Sequence, residues 1–262
     1  MSTKIHLTAQ VSSTAQLDEG VIIGPYSIIH DNVCIGKNTI IDSHVCVGSP
    51  STEVSIGKNN HIFSSSMIGL PPQDLSYKQE KTKLSIGDNN TIRSFVTMDA
   101  GTAKDQGLTS VGNHNLIMAY VHIAHDCHIK DKVVLANLVQ LAGHVKVDSQ
   151  VVIGGGVLVA QKVRLGNLAY VAGDSSVNKD IAPFSIAAGR WASLRAVNKI
   201  GLERANFKQK DILELRSAFR SLLSGKQTQE EWLCQLEEKK DLSDSAKTLI
   251  QFVKSSALGL AR

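Results

Sequence analysis

Ile117-Met118-Ala119-Tyr120-Val121-His122-Ile123-Ala124-His125-Asp126-Cys127-His128-Ile129-Lys130-Asp131-Lys132-Val133-Val134-Leu135 is the stretch that decides the fold. An aliphatic residue returns at every sixth position: Ile117, Ile123, Ile129, Leu135. The same step runs forward through Leu141, Val147, Ile153, Val159, Leu165 and Val171 to Val177. Backward it runs from Val47 through Ile41, Ile35, Ile29, Ile23 and Leu17 to Val11, with Ile56, Ile62, Ile68 and Ile86, Ile92, Met98 as further runs in the same step. A second apolar residue often stands two positions before the register, as at Val33, Val45, Val121, Val133, Val139, Val145, Val151 and Val157. Gly often follows it, as at Gly24, Gly36, Gly57, Gly87, Gly112, Gly154 and Gly166.

A period of six fits neither a 3.6-residue helix nor an isolated amphipathic strand. It fits a short strand followed by a corner, repeated. Strand alternation points the two apolar residues of each hexad inward. Small and turn-forming residues are expected to allow the bend, and the Asn-bearing stretches 59–60, 89–90 and 113–115 suit it. Aromatic residues make up only 5 % of the chain, so Val, Ile, Leu and Ala must fill a narrow interior.

The interruptions are informative. With three hexads to a coil, Val47, Ile68, Met98, Ile123, Leu141, Val159 and Val177 share one wall. Insertions at 49–51, about 70–83 and 100–109 each follow a member of that set, so all leave at one edge. His125 lies two residues past Ile123, at the same edge. Residues 18 apart are expected to stack about 4.8 Å apart. Gly143 then lies one coil beyond His125, His144 one coil beyond Asp126, and Gln161 one coil beyond Gly143. Asp126 is expected to polarise His125 as a general base, directly or through a relay. The Gly143 N–H is placed to face a developing oxyanion.

After Pro183 the sixfold register fades and helical signals begin. Residues 208–224 carry Ile212, Leu215, Phe219, Leu222 and Leu223 at helical spacing, with Gly225 as a stop. Thr228-Gln229-Glu230-Glu231 reads as a capping box, and Ser243 as the cap of a third helix with Leu249, Phe252 and Val253 on its apolar side. The expected division is 1–190 for the coil domain and 191–262 for a helical one.

The formal net charge is +4. From Trp191 onward there are 13 of the 28 Lys+Arg against 9 of the 24 Asp+Glu, which leaves 15 of each before it. So mild an excess argues against a nucleic-acid partner. Cys34, Cys46, Cys127 and Cys234 show no zinc spacing and read as reduced thiols. No basic leader or apolar run of membrane-spanning length is present in the sequence, and a cytoplasmic location is expected.

The repeat resembles the hexapeptide-repeat family, whose fold is a left-handed parallel β-helix. That likeness covers roughly residues 5–190 and supplies the handedness, which spacing does not. Finer matches extend it: HIAHDC at 122–127, LAGH at 141–144, PQDL at 72–75, IAPF at 181–184 and NKIGLER at 198–204. These resemble the acyl-carrier-protein-dependent UDP-N-acetylglucosamine O-acyltransferases of lipid A synthesis. The resemblance implies a homotrimer with sites between prisms. It implies transfer of a 3-hydroxyacyl group from acyl carrier protein to the sugar 3-position, with no cofactor and no metal. It makes His125 the base, Asp126 its partner and Gly143 the oxyanion donor. Gln73, Asp74, His122 and His144 would hold the sugar, Gln161, Asn198 and Arg204 the nucleotide, and Gly155 and Gly173 would line the acyl groove.

The chain departs from that family's usual residues at Ser76, at Met98-Asp99-Ala100, at Ala160, at Trp191 and at Ile200. Two alternatives therefore stay open. One keeps acyl transfer but uses a 3-amino sugar nucleotide and makes an amide. The other is a trimeric β-helix metalloenzyme of the γ-carbonic-anhydrase type, with histidines shared across an interface.

Overall fold

The computed structural model describes residues 2–223, 228–239 and 241–261. Its main body is a left-handed parallel β-helix with three walls of eleven, nine and eight strands among the described residues. Most strands are two residues long and pair with the strand one coil away, never with a sequence neighbour. Where no insertion intervenes the partners are 18 residues apart, as in Ile117↔Leu135↔Ile153↔Val171. In the second wall the column Val47↔Ile68↔Met98↔Ile123↔Leu141↔Val159↔Val177 runs up the prism, and each of its members is at most 3 % exposed. Each such aliphatic contributes about 1.5–3 kcal/mol by leaving water. One slipped residue would turn the whole column outward, so the register is strongly fixed.

The corners correct one expectation. Gly24, Gly36, Gly57, Gly87, Gly112, Gly154 and Gly166 keep ordinary φ values, whereas Gly48 and Gly69, where insertions leave the prism, have φ of 82° and 79°. The former are small because successive coils nearly touch: a Cβ on Gly24 would lie 2.7 Å from the Asp42 carbonyl carbon, and one on Gly154 2.5 Å from the Gly173 nitrogen. The bend itself is made two residues later. Asn38, Asn59, Asn89, His114, Tyr120, Asp126, Leu138 and His144 all have φ between 55° and 65°. Left-handed backbone costs a non-glycine residue about 1–3 kcal/mol, which the coil-to-coil hydrogen bonds and the buried stack offset.

Beneath the first wall, Asn60, Asn90 and Asn115 form a buried ladder. Asn60 Oδ1 accepts from the Asn90 backbone N–H at 2.8 Å and from its side chain at 3.0 Å. Asn90 Oδ1 accepts from the Asn115 N–H at 2.8 Å, and Asn90 Nδ2 donates to Gly112 O at 2.9 Å.

The prism ends in a hairpin, Ser185–Ala188 paired antiparallel with Ser193–Val197. Four helices follow among the described residues: α1 (Lys199–Arg204), α2 (Gln209–Leu223), α3 (Gln229–Glu237) and α4 (Asp244–Lys254). The expected capping box of Thr228 and Glu231 is present, and Ser243 caps α4. Ile212, Leu215, Phe219 and Leu222 of α2 pack with Leu249, Phe252 and Val253 of α4 in the core. Gly225, the expected stop of α2, lies outside the described residues. The chain end returns to the prism, where the Asp180 N–H donates to Gly259 O at 3.0 Å and Arg164 donates to Ser255 O at 2.9 Å. No described helix is long and apolar enough to cross a membrane.

Candidate active site

The corner between the second and third walls carries the chemistry. Insertions leave the prism there, at residues 71–81 and 100–107 between strands Met67–Leu70 and Thr82–Ile86 and between Thr97–Asp99 and Leu108–Val111. His125 stands on this corner just after strand His122–Ile123, and the stacking expected from the repeat holds. The His144 N–H donates to His125 O at 3.0 Å, and the Lys162 N–H donates to Gly143 O at 3.0 Å.

His125 is only 7 % exposed, and its Nδ1 meets Asp126 Oδ2 directly at 2.9 Å, so no relay is needed. Asp126 is buried at 1 % exposure and fully engaged. The Thr102 N–H reaches Oδ1 at 2.8 Å and the Thr102 hydroxyl reaches Oδ2 at 2.7 Å. Burial works to raise the Asp126 carboxyl, but hydrogen bonds from His125 and Thr102 outweigh it and hold the group below the usual carboxylate range. An ionised Asp126 therefore fixes the tautomer of His125 with the proton on Nδ1, leaving Nε2 as the basic atom. The hydrogen bond to Asp126 raises the His125 pKa, and partial burial offsets some of that rise.

Gly143 lies directly against the imidazole: a Cβ there would sit 2.6 Å from His125 Cε1 and 2.9 Å from Nε2. The flanking N–H groups of Ala142 and His144 are spent on Val159 O and His125 O, both at 3.0 Å, whereas among the described residues no acceptor meets the Gly143 N–H. A groove of about 530 Å³ opens from this corner along the outer face of the second wall. Gln73, His122, His125, Gly143, Gln161 and Trp191 are among its lining residues.

His144 stands edge-on to His125, ring centroids 5.2 Å apart, with its Nδ1 3.1 Å from Asp105. His122 Nδ1 pairs with the Thr97 hydroxyl at 2.8 Å. Asp74 accepts from Lys104 Nζ at 2.9 Å and from the Ser76 N–H at 2.8 Å, and chiefly the Lys104 contact holds its carboxyl well below the carboxylate range. Gly155 and Gly173 stack on the opposite edge of the second wall, outside the groove lining; a Cβ on Gly173 would lie 3.2 Å from Gly155 O. Asn198 caps α1, with Oδ1 accepting from the Gly201 N–H at 3.0 Å and Nδ2 donating to Leu168 O at 2.9 Å. Arg204 is exposed in the last turn of α1. Within one chain neither Asn198 nor Arg204 lines the groove.

Several residues of the site carry no signal in the sequence pattern. Thr102, Lys104 and Asp105 from one insertion contact Asp126, Asp74 and His144 respectively. Asp99, buried at 1 % exposure, lies 3.4 Å from Gln73 Nε2. Cys127 is wholly buried with its thiol 3.2 Å from Ala142 O, and burial pushes it up to about 12, which makes it a filler and no nucleophile. His125, Asp126 and His144 present ligand atoms within 4.8 Å of one another. That spacing would admit a cation, but Asp126 already accepts hydrogen bonds from His125 and Thr102.

A coiled prism that offers a carboxylate-polarised imidazole beside a bare backbone N–H, at the head of an open groove, defines a hexapeptide-repeat acyltransferase. Similarity to known proteins narrows the class. A family model described as UDP N-acetylglucosamine O-acyltransferase, domain 2, matches residues 180–261. The acyl-[acyl-carrier-protein]–UDP-N-acetylglucosamine O-acyltransferase of Herminiimonas arsenicoxydans is 44 % identical over 98 % of this chain and 99 % of its own length. The enzyme of the same name from Thermodesulfovibrio yellowstonii is 40 % identical over 99 % of both. Among solved structures, the UDP-N-acetylglucosamine acyltransferase of Francisella novicida superposes with a TM-score of 0.94 at 36 % identity, covering 98 % of this chain and 94 % of that one. The O-acyltransferase of Moraxella catarrhalis gives 0.94 at 38 % identity, covering 98 % and 99 %. The chain belongs to the UDP-N-acetylglucosamine O-acyltransferase family.

Proposed function

We propose that this protein moves a 3-hydroxyacyl group from acyl carrier protein onto the 3-hydroxyl of UDP-N-acetylglucosamine, the first step of lipid A synthesis. The observation that carries this reading is the direct Nδ1–Asp126 bond of His125 with the unpaired Gly143 N–H beside the ring. His125 Nε2 takes the proton of the acceptor hydroxyl as its oxygen attacks the thioester carbonyl. Asp126 stabilises the imidazolium that results. The carbonyl electrons move onto oxygen, where the Gly143 N–H meets the oxyanion. Collapse breaks the carbon–sulfur bond, and the departing thiolate takes the proton back from His125. The products are the ester and free acyl carrier protein thiol. The names of the relatives favour this acceptor over an amino sugar, and membership of their family disfavours a γ-carbonic-anhydrase activity.

Gln73, Asp74, His122 and His144 are the sugar-side groups in this reading, and Gly155 and Gly173 border the acyl chain. Asn198, Arg204 and Gln161 serve the nucleotide. Within a single chain Gly155, Gly173, Asn198 and Arg204 do not line the groove that Gln73, His122 and Gln161 line, which supports a homotrimer with shared sites. An exposed apolar strip also supports it: Ile28, Met67 and Leu158 on the second wall, with Phe95, Tyr120 and Leu138 on its edge, are 38–56 % exposed. Residues 1–190 form the catalytic unit and 191–262 a helical one. Four free thiols are in keeping with the cytoplasm. The test is mass spectrometry of UDP-N-acetylglucosamine incubated with protein and 3-hydroxyacyl carrier protein. The sugar nucleotide is expected to gain one acyl group; an unchanged sugar nucleotide, with the thioester intact, defeats the proposal.

A further inference from the structure

Asp99 is a carboxylate that the mechanism does not use. It sits one coil below Ala124, at the end of strand Thr97–Asp99, and only 1 % of it is exposed. Nothing in its immediate surroundings forms an ion pair with it at salt-bridge distance among the described residues. Its polar neighbours both belong to Gln73: the backbone N–H, and the side chain, whose Nε2 lies 3.4 Å from Asp99 Oδ2. Gln73 in turn lines the groove beside His122 and His125. A glutamine amide has a donating end and an accepting end on the same carbon. Turned the other way, Gln73 would hold its carbonyl oxygen against a buried carboxylate oxygen at a similar distance, which is repulsive in so dry a place. The carboxylate therefore selects one of the two amide orientations.

We infer that Asp99 is a positioning residue that holds the Gln73 amide nitrogen inward and so presents Gln73 Oε1 to the groove as a hydrogen-bond acceptor for a hydroxyl or N–H of the sugar nucleotide. This rests on the proposed function and deepens it, because it states which polarity of group the loop at residues 71–81 recognises. The charged and titratable groups around the pair are His122 and His125 from the adjoining coil and Asp74 from the loop itself; Lys104 is committed to Asp74. Burial pushes the Asp99 carboxyl above the usual carboxylate range, against the His122 imidazole, the backbone and side-chain contacts of Gln73 and the His125 imidazole, each of which works to lower it.

The experiment is a set of paired substitutions read as separate KM values for sugar nucleotide and acyl carrier protein thioester. Asp99→Leu is expected to raise the acceptor KM about tenfold while donor KM and kcat move by less than about threefold. Asp99→Asn, whose amide can accept from Gln73 but can also donate to it, no longer selects one orientation and is expected to recover only part of the loss. In a Gln73→Ala background Asp99→Leu should add almost nothing, because residues acting through one contact are not additive. A second pair decides the matter if Asp99→Leu does not fold. Gln73→Glu sets two carboxylates together and should raise the acceptor KM about tenfold, and adding Asp99→Asn should restore it by supplying a donor. Losses that simply add in both cycles, or a change confined to the donor KM, overturn the role of Asp99. A wild-type protein without acceptor turnover defeats the proposed function instead, so the two failures are told apart.

Discussion

Gly143→Ala is the substitution that most sharply probes the site's geometry. The added carbon would lie 2.6 Å from His125 Cε1 and 2.9 Å from Nε2, where ordinary contact begins near 3.4 Å. The ring must withdraw by about 1 Å, and a misplacement of that size is enough to cost about 10²-fold in rate. The ring cannot yield freely, because its Nδ1 is held by Asp126 at 2.9 Å and Asp126 is itself clamped by Thr102. The backbone N–H of residue 143 survives, so the loss comes from the displaced base. Turnover is therefore expected to fall about 10²-fold at constant thioester concentration, with the circular dichroism spectrum unchanged. Cys234→Ala, at an exposed thiol of α3 with no place in the site, is the internal control. It should reduce turnover by less than about threefold. A Gly143→Ala enzyme that keeps more than about a third of wild-type turnover would refute the argument that the imidazole position limits the rate.

Other outcomes follow from the same geometry. The acid limb of the kcat/KM profile should have its midpoint above the ordinary histidine value, since the base must be neutral and the Asp126 hydrogen bond raises its pKa; Asp126→Asn should move that midpoint down while lowering the rate, in a pH series at saturating thioester. Cys127→Ala should leave turnover within about twofold of wild type, because a thiol pushed up to about 12 supplies no thiolate; a folded but inactive variant in the same assay would restore the nucleophile. Asn90→Leu should lower stability by roughly 3 kcal/mol or more, since the Asn115 N–H loses its acceptor while Asn60 Oδ1 and Gly112 O lose donors, as measured by denaturant unfolding.

The architecture is legible in the sequence because its signal is one-dimensional. An 18-residue coil converts sequence separation into spatial stacking, so His125, Gly143 and Gln161 fall on one edge by counting alone. The same rule locates the insertions that leave the prism there. What the repeat does not convey is which insertion residue turns inward. Thr102 reaches Asp126 across a loop with no period, and Asp99 meets Gln73 across another. Helix α1 spans six residues, less than two turns, and so shows no apolar periodicity. The glycines are visible, but their purpose is not. Close approach between coils is a property of the packed prism, whereas the bend falls to residues such as Tyr120 and Leu138 that carry no turn signal of their own.

The central claim, that His125 acts as the base for acyl transfer, is tested most directly by single-turnover kinetics of His125→Ala with preloaded 3-hydroxyacyl carrier protein and UDP-N-acetylglucosamine. Acyl transfer is expected to slow by about 10²–10⁴ while the variant keeps wild-type assembly and melting temperature. Transfer at the wild-type rate by a folded His125→Ala protein would contradict the claim.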